Sequence, residues 1–178
     1  MKCSKACAPA NSCGSVLELQ PPEAGIPAAQ SDAGIEPFDP NGDALHHAVL
    51  APLTQFIVDA VGPFQVGRVG VLLRDETGGV AGGAWGNTVF GWLQVDGMVV
   101  AESHRGQGLG ARLLQALERQ AIDQGCHSAW VDTFEFQARG FYEKMGYDCF
   151  GVLDNFPIGY KRFYLSKRLT QATPGLAA

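Results

Sequence analysis

The sequence has no basic excess: 13 Lys and Arg stand against 18 Asp and Glu in 178 residues, a net charge of −5. Nucleic-acid binding draws on clustered cations, so nucleic acid is not an expected partner. The acidic balance suits a cationic small molecule such as a polyamine or amino sugar, although net charge governs encounter rather than identity. Cysteine is scarce as well. Cys3, Cys7, Cys13, Cys126 and Cys149 are odd in number and irregular in spacing, which speaks against a disulfide framework. The first three lack a CxxC pair and a fourth ligand beside them, so no metal is expected. No uninterrupted apolar run approaches the roughly 18 residues of a membrane span, and none follows Lys2 and Lys5 as a secretory signal requires. The expectation is a protein of the reducing cytoplasm with no membrane partner.

What is present is core material: 46% of residues are hydrophobic and only 17% charged, enough for one sizeable domain. Residues 1–33 are rich in Ala, Pro, Ser and Gly and read as a flexible or loosely attached extension, with Ser15–Leu19 its one candidate strand. Residues 34–170 read as a single domain and 171–178 as a tail. Asp43 is a plausible N-cap for a helix in which Leu45, Val49, Leu53, Phe56, Ile57 and Val61 recur at helical spacing. Pro52 inside it predicts two short helices or a kinked one. The adjacent His46 and His47 diverge on a helix and suit a surface better than a metal.

"VGRVGVLLRD" and "VAGGAWGNT" form a hairpin pattern around "ETGG", and Phe90–Ala101 reads as the next strand, with Gly97 marking a bulge. After a glycine-rich loop, Leu109, Leu113, Leu114, Leu117 and Ala121 share one helical face, while Arg112, Gln115, Glu118 and Arg119 fall largely elsewhere. A buried-type strand (Ser128–Phe134), a helix ("FQARGFYEKMG") and two strands turning at Asn155–Gly159 complete the order. With Ser15–Leu19 counted, that is strand, helices, three strands, helix, strand, helix, two strands: an α/β or α+β layer fold with a mixed sheet and a central parallel crossover.

The loop "HRGQGLGARLL" (His104–Leu114) carries the chemistry. Gly106, Gly108 and Gly110 let a ligand approach the backbone, and the helix start offers unpaired N–H groups at the positive end of its dipole. Arg105 adds a cation, so the whole suits a phosphate or pyrophosphate. A Walker A loop needs Lys-Ser/Thr after the glycines, which is missing. A dinucleotide fingerprint needs GxGxxG at a first strand with an acid about 20 residues on, which also fails. By itself the GxGxG could be a plain turn.

Its context narrows the choice. "RGQGLG" after a strand and before an amphipathic helix resembles the acetyl-CoA pyrophosphate loop of the GNAT superfamily of N-acyltransferases. "ARGFYEKMGYDCFG" (Ala138–Gly151) is similar to that family's later A-x-x-F-Y-x-x-x-G segment. The resemblance spans roughly Gly34–Leu169 and is strongest to a bacterial subgroup. It implies a mostly antiparallel sheet with helices on both faces, splayed between its fourth and fifth strands to admit the pantetheine arm. It implies an acyltransferase that uses acetyl-CoA as co-substrate and no metal. By that likeness Met98, Val99 and Val100 border the acetyl and pantetheine group, Arg105, Gly106, Gln107, Gly108, Leu109 and Gly110 hold the diphosphate, and an N–H near Val100 stabilises the oxyanion. Phe134, Gln137 and Phe141 neighbour the coenzyme arm. Tyr142 matches the acid that protonates the departing thiolate.

Glu102, just past the strand, is the candidate general base, directly or through water, with Asp96 and Asp132 as alternatives. Alternation places Asp96 with Met98 and Val100 on one face if Gly97 leaves the register intact. Asp132 is also placed to cap the following helix, and His104 to touch phosphate. Glu135 stands where the family often has Asn, so a pantetheine contact there is not carried over. Trp85, Trp92, Phe150, Phe156 and Tyr160 are candidates for the acceptor pocket or for core and dimer-interface positions. The expected reaction is transfer of acetyl to a primary amine of a small acceptor by direct attack. A protein or peptide amine and a non-catalytic acyl-CoA-binding module are the alternatives, and a homodimer is left open.

Overall fold

The computed structural model describes residues 34, 35, 37–39, 41 and 43–169. The expected strand at Ser15–Leu19, the cysteines Cys3, Cys7 and Cys13, and the tail at 171–178 lie outside them. The chain divides into two units, Met1–Leu50 and Ala51–Ala178, and the division falls within the first helix.

That helix, α1, runs unbroken from Asp43 to Val61 with Pro52 inside it. The expected break into two helices is not found: proline removes only its own i−4 hydrogen bond, and helix continues on either side. Gly62 ends it at φ +82°, its N–H donating to the Val58 carbonyl at 2.8 Å. Although His46, His47, Gln55 and Asp59 interrupt its apolar run, the window Ala44–Val61 has a mean hydropathy of 1.3. By length and composition alone it could cross a membrane, which qualifies the expectation drawn from uninterrupted runs. Leu45, Val49, Leu53 and Phe56 are all exposed.

The second unit is built on one six-stranded sheet in the order β1-β2-β3-β4-β6-β5. β1 (Val66–Arg74), β2 (Val80–Val89) and β3 (Trp92–Val100) form an antiparallel meander. Phe90 (φ +51°) and Gly91 (φ +73°) make the tight turn between β2 and β3, so β3 starts at Trp92 rather than Phe90. β3 continues through a 3-10 turn (Glu102–His104) into α2 (Leu109–Asp123) and returns as β4 (Ser128–Phe134), parallel to β3. α3 is short, Arg139–Lys144; β5 (Asp148–Asp154) and β6 (Lys161–Arg168) close the chain as a hairpin, with β6 inserted between β4 and β5. α3 does not extend back to Phe136, because Gln137 accepts the Phe134 N–H at 2.9 Å and Thr133 Oγ1 accepts that of Ala138 at 3.4 Å, which holds 134–138 as a turn.

One face of the sheet is the core. Leu93, Val95, Ala129, Val131 and Leu165 alternate inward along their strands and meet Leu113, Leu114, Leu117 and Ala121 of α2. Glu118 is buried among them, contrary to its expected place away from the apolar face. It is fully partnered: Lys167 Nζ reaches both carboxylate oxygens at 3.0 and 2.9 Å, and the Tyr147 hydroxyl donates at 3.0 Å. Burial and the neighbouring carboxylate hold Tyr147 far above the ordinary phenol value. This cluster clamps α2 to β6 with no stranded charge.

Candidate active site

Between β3 and β4 the sheet comes apart. The strands pair only from Trp92 with Ser128 to Val95 with Val131, and beyond that they diverge. The cause is visible on β3. Trp85 pairs with Gly97 and Gly86 with Val95, so Asp96 is an extra residue that bends the strand away from β4. Position 97 must be glycine because the Trp85 ring lies where a Cβ would project. The resulting cleft has a volume of about 350 Å³.

The bulge also sorts the residues. Met98 and Val100 pack with the core, whereas Asp96 accepts from Asn87 Nδ2 at 2.5 Å on the opposite face. The condition on Gly97 therefore fails, and Asp96 does not share a face with Met98 and Val100. Val99 is exposed on that opposite face too. The cleft thus passes through the sheet. Met98, Thr133, Ala138 and Tyr142 line its core side, and Trp85, Asp96 and Asp132 its other side.

Tyr142 is 7% exposed, packed edge-on between Phe141 (5.2 Å) and Tyr147 (5.8 Å). Burial first, and then the Asp132 carboxylate, push its phenol above the ordinary value. It is a neutral proton donor facing the cleft.

The glycine loop lies at the start of α2. Gly106 (φ +77°) and Gly108 (φ +73°) are in the left-handed region, with open space where a Cβ would stand. Their conformation turns the chain so that the N–H groups from Gly106 to Ala111 enter the helix start. Among the described residues none of these donates a hydrogen bond, and the first helical bond is Arg112 N–H to Gly108 O at 3.2 Å. The Phe141 ring lies 3.5 Å from the Cβ position of Gly110, an ordinary contact distance. Arg105 Nε donates to the Val100 carbonyl at 3.1 Å, tying the loop to the end of β3. A run of free donors, a cation and an opened strand edge fit a diphosphate followed by an amide-bearing arm.

A profile of the acetyltransferase (GNAT) family matches residues 44–147. The chain belongs to that family. An acetyltransferase of Agrobacterium fabrum is 32% identical over 121 residues, covering 68% of this chain and 88% of that protein. A blasticidin-S acetyltransferase of Streptomyces morookaense is 39% identical over 95 residues, covering 53% and 70%. A crystal structure of an acetyltransferase from Bacillus cereus superposes with a TM-score of 0.65 at 30% identity, over 75% of this chain and 98% of that one. The protein is accordingly an acyltransferase with the family's fold, and its β3 and β4 are the fourth and fifth strands of the sequence count. The family match takes in all of α1 but Asp43.

In this acetyltransferase Gly110 of the loop faces Phe141, whose ring packs on Tyr142, and Gln137 and Tyr142 share the cleft wall. Glu102 does not: it is exposed in the 3-10 turn and is absent from the cleft lining. Asp96 and Asp132 are the carboxylates that line it. Asp132 does not cap α3; Arg162 Nε donates to its Oδ2 at 2.6 Å, and Nη2 lies 2.5 Å from the same oxygen in the ion pair. Glu135 is taken up by β6, accepting the Lys161 N–H at 3.1 Å. Phe134 stacks on Phe136 at 5.3 Å on the face away from the core, with Phe156 edge-on at 6.0 Å, while Tyr160 abuts Phe136 at 5.1 Å. Trp92 and Phe150 belong to a separate apolar groove with Trp130, Tyr164 and Ser166. His104 Nδ1 is 2.9 Å from Ser103 Oγ. Arg162 is what the sequence reading missed, since nothing local marks its approach to Asp132 from 30 residues away.

Proposed function

We propose that this acetyltransferase transfers acetyl from acetyl-CoA, a substrate here rather than a resident cofactor, to a primary amine of a small cationic acceptor by direct attack. The observation that carries the reading is Tyr142, a buried phenol lining the cleft, whose neighbour Phe141 packs against Gly110 of the glycine loop. The N–H groups of Gly106–Ala111 and the Arg105 guanidinium would bind the diphosphate. The unpaired edge of β3 from Gly97 to Val100 would receive the pantetheine amides and the acetyl carbonyl. Tyr142 would protonate the thiolate as it leaves. Glu102 is too exposed to serve as a base within the cleft, so the amine's proton goes to water or to a cleft carboxylate. The Streptomyces relative is named for blasticidin S, which makes that compound the first acceptor to try.

Calorimetry with acetyl-CoA, CoA and ATP, followed by thiol release over a panel of blasticidin S, an aminoglycoside and spermidine, tests this. Binding of the CoA species but not ATP, with amine-dependent thiol release, is the expected result. Failure to bind either CoA species overturns it.

A further inference from the structure

We propose that Asp132 receives the acceptor's amine and that Arg162 is its positioning partner. The assignment rests on the acetyl-transfer reading above. The cleft crosses the sheet, and the diphosphate loop and Tyr142 take the side of α2 and α3, which leaves the acceptor the face of Trp85, Asp96 and Asp132. Of the two carboxylates there, Asp96 is engaged by Asn87 from the neighbouring strand. Asp132 is near enough for its charge to act on the Tyr142 phenol, so an amine bound to it stands beside the acid.

The Asp132–Arg162 pair is built to present one oxygen. The guanidinium meets Oδ2, with Nε donating to it and Nη2 beside it, and among the described residues Oδ1 accepts nothing and is not sealed from solvent. Arg162 is itself held by rings on the same face: its guanidinium carbon lies 4.9 Å from the Phe134 centroid, 4.6 Å from Phe156 and 5.8 Å from Tyr164. It therefore stays on Oδ2 as a cation arrives, and Oδ1 remains the open acceptor. A lysine at 162 could pair with Oδ2 but not stack as a plane.

The proton balance closes with Tyr142 and water. The acceptor arrives as an ammonium on Oδ1 and gives one proton to water. Its nitrogen then bonds to the acetyl carbon while keeping an N–H on Oδ1. The second proton goes to water as the C–S bond breaks. The thiolate takes the Tyr142 proton, and water restores the phenol. One proton is released per acetyl transferred.

Kinetics of Asp132→Asn, Arg162→Met and Arg162→Lys by thiol release, with blasticidin S and spermidine as acceptors, test the assignment. Losing a charge-assisted contact should raise the acceptor KM about tenfold or more in Asp132→Asn. The acetyl-CoA KM should stay fixed and kcat change far less. Arg162→Met should raise the acceptor KM as well, and Arg162→Lys should recover part of the loss. An unchanged acceptor KM in Asp132→Asn, or an equal rise in both KM values, overturns the assignment. So does wild-type protein that binds acetyl-CoA yet acetylates neither amine. Wild-type protein that binds no acetyl-CoA overturns the acetyl-transfer reading instead, which keeps the two failures apart.

Discussion

The Tyr142 phenol is raised above its ordinary value by two neighbours of different kinds, the apolar packing around its ring and the Asp132 charge across the cleft. A general acid works only while protonated, so the alkaline limb of kcat should lie above the ordinary phenol value of about 10. Asp132→Asn removes the smaller cause, and the limb should move down but remain above that value. Tyr142→Phe should lower kcat by about 10²- to 10⁴-fold with acetyl-CoA affinity unchanged, and undiminished turnover at saturation would refute the role. Stability limits the range of the measurement. A tyrosine whose folded pKa is raised gives stability that is whole below the unfolded value of about 10 and is lost as pH rises through the folded one. Tyr142 and Tyr147 both act in this direction, so the limb must be separated from unfolding by returning samples to neutral pH and recovering full activity.

At the scale of elements, the α2 start depends on glycines that do different things. Gly108 is left-handed with free space around it, so Gly108→Ala meets backbone strain of about 1–2 kcal/mol and no clash. It should fold, with a modest fall in Tm and a clear rise in the acetyl-CoA KM, because strain there turns the donor N–H groups. Gly110 is helical, and its added methyl would make ordinary contact with Phe141, so Gly110→Ala should match the wild-type Tm or exceed it. Equal effects of the two changes on Tm and KM would contradict the account of the loop. The loop and the α3 motif were legible in the sequence because their signals are local: glycine spacing, a following apolar stripe, a Phe-Tyr pair. The features that the sequence hid are set by partners far along the chain. The bulge at Asp96 exists only against β2, where Trp85 crowds Gly97. Glu118 looks like a surface residue on its helix until Tyr147 and Lys167, 29 and 49 residues away, arrive to neutralise it. Glu135 is spent on Lys161 of β6.

At the scale of the whole molecule, the proposed reading gives the two faces of one sheet different jobs. Its core face carries the packed α2 and α3 with the loop and the acid, and its other face carries Asp132, Arg162 and exposed rings such as Trp85. The opening between β3 and β4 joins the two faces, and on the proposed reading both substrates are bound together when the amine reaches the acetyl group. The described cleft lining offers no cysteine, serine or lysine for an acetyl-enzyme, and its threonine, Thr133, is engaged by Gln137 and Ala138. Initial rates with acetyl-CoA and the best amine of the panel varied together test this most directly. Direct transfer in a ternary complex predicts double-reciprocal lines that intersect. Parallel lines, the mark of a covalent acetyl-enzyme, would contradict it.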